Sequence, residues 1–404
     1  MNSIHRKILL ICLSLLILTG CWDRVEIEDV SLIIGEAFDL GVEAPQETES
    51  NFAQEEEEKK QNFIALTIQS VVPRAAGGGQ EGGGGGQEKP YKNVYLKGRT
   101  VTELFFEATL KNDKVPFGHH LKVVVIGEEL ARTMNLQNLL NELFRHPQVR
   151  RTSVVLIAKG RASKTFEAEK PADIPAFGLL GMMENHDVLI EILPEMTLGK
   201  VSYNLTTDSS FLLQSVVAEN GKARLVGGAV IQGKTKKLIG FLNNQEVAGI
   251  NWLTGDADAE GAVVKAYDLK THQVTSIAIR SMASKIKPKV QGDKISFDVE
   301  IEVEGSLEED WMMPGNAFEN SYLKRNEKSI EHEIKRLAEQ ALKKTQKEYQ
   351  VDVAGFGTQL NIEYPEVWQK VEKDWEREFS KVPVNIHVKV YIRDYEMKRT
   401  KEAK

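Results

Sequence analysis

With 404 residues, 41% of them hydrophobic and 27% charged, the chain has room for two or three globular domains and is neither disordered nor fibrous. Its formal charge of −7 argues against a nucleic-acid partner.

The chain opens with Arg6 and Lys7, an almost unbroken apolar run from Ile8 to Leu18 that is too short to span a bilayer, and then Thr19 and Gly20. Leu18-Thr19-Gly20-Cys21 therefore reads as the end of a lipoprotein signal peptide, residues 1–20. Cys21 is the expected first mature residue and the lipidation site, its sulfur carrying a diacylglyceryl group through a thioether that serine or alanine cannot form. The competing reading is an ordinary secretory signal with a chance cysteine. At about 0.8 kcal/mol per buried methylene, two acyl chains hold a protein on a membrane firmly where one does not. Losing residues 1–20 removes Arg6 and Lys7 and no acid, taking the charge from −7 to −9. Cys12 leaves with them, so no thiol remains for a disulfide or a cysteine-based metal site. No later segment has the apolar length to cross a membrane.

After a short tether around Trp22, whose indole either packs on the domain or sits at the bilayer interface, Val30 to Leu40 reads as a strand. Glu43 to Gln61 is acidic without apolar period, and Ala75 to Lys89 contains Gly77 to Gly79 and Gly82 to Gly86. Both predict flexible surface loops, at 43–61 and 75–89, bracketing a strand from Asn62 to Val72. Lys89 is followed by Pro90 rather than by a Ser or Thr opening a helix, so the glycines do not form a phosphate-cradling loop.

From Tyr91 strand and helix alternate: strand Tyr91 to Lys97, helix Thr100 to Leu110, strand Leu121 to Ile126, helix Glu129 to Phe144, strand Thr152 to Ala158. Val123-Val124-Val125-Ile126 and Val154-Val155-Leu156-Ile157 do not alternate with polar residues, which predicts strands buried on both faces. Ile174 to His186 and Ser209 to Val217 read as helices, with a domain boundary at Met196 to Asn204. Leu225 to Gln232 and Lys237 to Asn243 form a hairpin around Gly233. Farther on, Ile295 to Val303 and Val384 to Ile392 alternate as strands with one wet face. Between them lies a helix from Asn326 to Tyr349, its outer side carrying the i,i+4 pairs Glu331–Lys335 and Glu339–Lys343. Pro365 opens another helix bearing Trp368, Val371, Trp375 and Phe379 in one stripe. The expected architecture is α+β: three mixed α/β domains, each a sheet flanked by helices, behind the signal peptide. These are an N-terminal domain at 21–200, a helical linker and small middle domain at 201–265, and a C-terminal domain at 266–397 with an antiparallel sheet and two helices.

Catalytic patterns are missing. Adjacent His119 and His120 cannot aim at one metal from a strand, and His146, His186, His272, His332 and His387 have no metalloprotease-like spacing. There is no G-x-S-x-G elbow. Trp368 and Trp375 suit a core stripe better than a sugar platform. No cofactor, metal or catalytic residue is expected.

One ordered series of short motifs runs the length of the mature chain. It begins with Leu18-Thr19-Gly20-Cys21-Trp22-Asp23 and the Gly-rich loop near Gly82. Phe117-Gly118-His119, Lys122, Gly127-Glu128-Glu129 and Gly227-Gly228-Ala229-Val230 follow. Arg280, Lys285-Ile286-Lys287-Pro288-Lys289, Gly305, Gln346 and Asp352 come next, then Gly355-Phe356-Gly357, Tyr364-Pro365, Trp368 and Trp375. In this order they resemble the Ger(x)C family, the lipoprotein C subunits of GerA-type spore germinant receptors; the acidic insertion at Glu55 to Glu58 is the main departure. The resemblance implies a non-enzymatic lipoprotein with acyl chains of the palmitate class. It also implies a place on the outer face of the spore inner membrane, with the two membrane-spanning A and B subunits as partners. A solute-binding lipoprotein of a membrane transporter is the alternative, and it needs two matched lobes around a cleft. A cell-wall hydrolase would need a catalytic constellation.

Overall fold

The computed structural model describes residues 30–41, 63–72, 89–168, 173–255, 259–311 and 320–394. The signal peptide, Cys21 and Trp22, and all but the last residue of the two expected loops, lie outside them. The described residues form an α+β fold with two sheets flanked by helices.

The first sheet has nine strands. They are β1 (Val30–Gly41), β2 (Phe63–Val71), β3 (Tyr91–Gly98), β4 (Val115–Phe117), β5 (Val123–Gly127), β6 (Val154–Ala158), β7 (Phe211–Glu219), β8 (Lys222–Gln232) and β9 (Lys237–Leu242). Their order is β3-β2-β1-β5-β6-β7-β8-β9, with β4 pairing the start of β1. β1, β5, β6 and β7 run parallel, and antiparallel strands extend the sheet on either side. The first strand thus stays with its sequence neighbours. Every residue of β5 and β6 is buried, because helices cover both faces. α1 (Val101–Lys111), α2 (Glu128–Thr133), α3 (Leu136–Leu139), α4 (Asn141–Arg145) and α6 (Leu198–Thr206) pack on one face. α5 (Pro175–Glu184) and Phe166 pack on the other.

The second sheet, β10-β11-β12-β13, is built from Val263–Tyr267, Val274–Gln291, Lys294–Asp310 and Val384–Asp394. β13 runs parallel to β12, so this sheet is mixed rather than wholly antiparallel. Pro288 is accommodated in β11 because β10 pairs only with Val274 to Ala278, leaving the proline where β11 has a partner on one side alone.

Between the sheets lies α7 (Asn244–Thr254), begun by a capping box of Asn243 and Glu246 and buried from Glu246 to Leu253. It crosses α8 (Asn320–Leu342) so closely that a Cβ at Gly249 would sit 2.1 Å from the Leu337 carbonyl oxygen. One core therefore joins Val230 and Leu242 of the first sheet to Phe297, Val299 and Ile301 of the second.

Several expectations are corrected. The segment Ser209 to Val217 is strand β7, not helix: buried on both faces, its apolar run has no period to distinguish the two states. Gln214 within it is satisfied by accepting from the Leu193 N–H at 2.9 Å and donating to the Gly227 carbonyl at 2.8 Å. The expected middle unit at 201–265 shows no sheet of its own among the described residues, since β7 to β9 hydrogen-bond into the first sheet; two sheets are described where three were expected. Met196 to Asn204, expected as a boundary, leads into α6, whose Leu198, Val201 and Leu205 are core residues. The helix Glu129 to Phe144 is three short ones, interrupted where the Asn135 side chain accepts from the N–H groups of Gln137 and Asn138. Glu331 does not serve an i,i+4 pair: it accepts the Val390 N–H at 3.2 Å while Glu327 accepts that of Ile392 at 3.0 Å. These carboxylates cover the free edge of β13.

Candidate functional site

Residues of the motif series that are scattered along the last third converge at one end of the second sheet. α8 continues through a π-helical turn, Lys343–Tyr349, from which Gln346 donates to the carbonyls of Phe379 and Val382, both at 2.7 Å. The chain then folds over Asp352. Its carboxylate accepts from the backbone N–H groups of Gly355 (3.0 Å), Phe356 (3.1 Å) and Gly357 (2.7 Å) and from the Trp375 indole at 2.8 Å. Burial pushes the Asp352 carboxyl above the usual range, and these four hydrogen bonds oppose the rise.

Three further helices complete this end: α9 (Phe356–Glu363), α10 (Pro365–Val371) and α11 (Trp375–Phe379). The single helix expected after Pro365 is divided between α10 and α11 by a 3-10 turn at Glu372–Asp374. Trp375 is only 7% exposed, with its ring centroid 5.4 Å from Trp368, 5.6 Å from Phe379 and 6.2 Å from Phe297. Gly357 is required, since a Cβ there would lie 2.6 Å from the indole nitrogen of Trp375. Trp375 and Phe379 are core residues, and Trp368 is half-buried against them.

On the outer side of this aromatic cluster a groove of about 1370 Å³ separates it from the first sheet. Lys200, Tyr203 and Ser210 line one wall; Asp352, Trp368 and Glu376 line the other. Ser210 bridges the walls, donating to the Glu376 carboxylate and accepting the Gly233 N–H at 2.9 Å. Burial raises the pKa of Glu376, Ser210 opposes the rise, and the nearby Asp352 adds to it. The groove offers charged and aromatic walls.

The first sheet buries a second carboxyl that the sequence reading passes over. Glu36, in mid-strand among Ile33, Ile34, Ala37 and Phe38, is 1% exposed, and its Oε2 has no hydrogen-bond partner. Burial, with the neighbouring Glu142, pushes its pKa up to about 8. Glu142 also has a buried, unpartnered Oε2; burial raises its pKa, and His146 opposes this. Two acids in an otherwise largely apolar strand, Glu36 and Asp39, were the available signal, and of these Asp39 is satisfied by the N–H groups of Ala162 and Ser163.

His119 stacks on Phe117 at 4.3 Å between ring centroids, and His120 has its pKa lowered by burial and by Arg150, Lys122 and His119. Among the described residues no group of three or more His, Cys, Asp or Glu is arranged to hold an ion, and no helix is long and apolar enough to cross a membrane. Cys21, the one residue assigned a role from the sequence, lies outside the described residues.

Comparison with known proteins defines the class. The model described as "Spore germination protein N-terminal domain" matches residues 23–218, and "Spore germination B3/ GerAC like, C-terminal" matches 226–396. The Bacillus subtilis (strain 168) spore germination protein YndF is 40% identical over 386 residues, covering 95% of each chain. Spore germination proteins B3 and A3 of the same organism are each 30% identical, over 91% of both chains for B3 and over 96% of this chain and 98% of the relative for A3. A crystal structure of the GerBC protein is similar with a TM-score of 0.59 and 25% identity, over 83% of this chain and 94% of that one. These matches define a spore germination protein. The chain belongs to the Ger(x)C family.

Proposed function

We propose that this chain is the lipid-anchored, non-enzymatic C subunit of a nutrient germinant receptor. It sits on the outer face of the spore inner membrane and supports assembly and signalling with two membrane-spanning A and B subunits. The observation that carries this reading is the tiling of the chain by the two family matches, 23–218 and 226–396, starting directly after Leu18-Thr19-Gly20-Cys21. In this reading residues 1–20 are removed, Cys21 carries the diacylglyceryl group, and the folded body is held at the membrane surface. Confinement there raises its effective concentration toward membrane-embedded partners, so modest contact areas suffice for assembly. A transporter's solute-binding subunit would need two matched lobes, whereas the two sheets here have nine and four strands in different topologies.

The test is affinity capture of the tagged chain from spore membranes in mild detergent, followed by identification of what accompanies it. The proposal predicts two membrane-spanning subunits in stoichiometric amounts. Capture of the chain with a transporter permease, or alone under conditions that preserve other membrane complexes, would contradict it.

A further inference from the structure

The strand β4 pairs in parallel with the first residues of β1, Val30 opposite Val115 and Leu32 opposite Phe117. The start of β1 therefore lies beside Val115, whose side chain is 60% exposed. α1 packs against β3 and β4 and turns Val101, Leu104 and Ala108 inward. Phe106 and Leu110, one turn apart on its outer side, are 71% and 86% exposed. Isolated exposed apolar residues are ordinary. Here three of them gather where the tether meets the folded body, and none lines either of the described cavities.

Eight residues lie between Cys21 and Val30, nine Cα-to-Cα steps with a reach of at most about 32 Å when fully extended. An anchor on Cys21 thus keeps this end of the body close to the bilayer. Phe106 and Leu110 stand out from the outer side of a helix and Val115 from the adjoining strand, which suits a fluid lipid interface that has no shape to match. Lys111 pairs with Glu107 at 3.0 Å, and with Glu103 and Asp113 exposed nearby the face offers, among the described residues, no basic cluster to an anionic surface, so contact here is apolar rather than electrostatic.

We propose that Phe106, Leu110 and Val115 form a membrane-docking face that enters the lipid interface when Cys21 is anchored. This rests on the lipoprotein reading of Cys21. A tether alone leaves the body free to rotate, whereas a second contact at the tether's root fixes which surfaces face membrane-embedded partners. The occupant is the bilayer itself.

The test uses the full lipidated chain in vesicles of phosphatidylglycerol and phosphatidylethanolamine with brominated acyl chains. An environment-sensitive fluorophore is attached at Leu110→Cys, or at Glu184→Cys on α5, which covers the opposite face of the first sheet. Both positions are exposed. Apolar faces enter about 5 to 10 Å into the interface, so emission at 110 falls roughly twofold, emission at 184 is unchanged, and the difference persists at high salt. A chain that floats with the vesicles but shows no quenching at 110 overturns the docking and leaves the anchor standing. A chain that does not float overturns the anchor, and the docking with it. Shielding at 110 from water without lipid quenching, growing with protein density, assigns the face to a second copy and also overturns lipid docking.

Discussion

Two carboxyl groups, Asp352 beside the second core and Glu36 within the first, are held in opposite ways. Asp352 receives four hydrogen bonds within a turn shaped by Gly355 and Gly357. Glu36 lies on β1 between antiparallel β2 and parallel β5, whose backbone groups already bond those of β1, and its Oε2 has no partner. Burial pushes both pKa values up, yet only one carboxylate is compensated. A buried carboxylate with several donors ties chain segments together, whereas one without them is held neutral by taking a proton. The second core should therefore depend on packing and hydrogen bonds, and the first should respond to pH.

The largest expected effect breaks the second core by packing alone. Trp375→Ala should destabilise the fragment lacking residues 1–21 by about 3 to 5 kcal/mol, through lost burial and the cavity left behind. Chemical denaturation measures it, and an unaltered midpoint would mean that the indole is not a core group. Asp352→Asn keeps the volume but turns an amide N–H₂ toward the donors on one oxygen. Leaving such groups unsatisfied costs about 1 to 3 kcal/mol, and the same denaturation series reads it. A neutral result would show that the aromatic cluster holds without the carboxylate.

The smallest effect sharpens the comparison through pH. Because the folded pKa of Glu36 lies near 8 against an ordinary 4.5, the native chain keeps a proton that the unfolded chain releases. This contribution is complete below pH 4.5 and declines as pH rises toward 8, by about 1.4 kcal/mol per pH unit. Glu142 acts in the same sense and His146 opposes it. Glu36→Gln should make stability fall less steeply between pH 6 and 7 in thermal melts. An unchanged slope would mean that Glu36 is charged and compensated.

The two cores, though not their buried carboxyls, are legible in the sequence. The unbroken runs in β5 and β6 announced strands buried on both faces, and Trp375 at helical spacing from Trp368 and Phe379 announced a core stripe. What the pattern did not carry depends on contacts between distant residues. Val-rich β7 has no period to separate strand from helix until β6 and β8 are placed beside it. Glu331 reads as half of a helix pair until β13 arrives from the far end of the chain with a free N–H at Val390. The fusion of the expected middle domain into the first sheet is likewise set by pairing, which local propensity does not encode. Cys21 is the reverse case: its proposed role rests on Leu18-Thr19-Gly20-Cys21 and the apolar run before it, and owes nothing to the fold.

That role supports the proposed function and the membrane docking alike, and it is measured directly by mass spectrometry of the mature N-terminus from spore membranes. The account predicts an N-terminal Cys21 carrying a diacylglyceryl group. An unmodified N-terminus at Cys21, or a chain that still begins with the apolar run from Ile8 to Leu18, would contradict it.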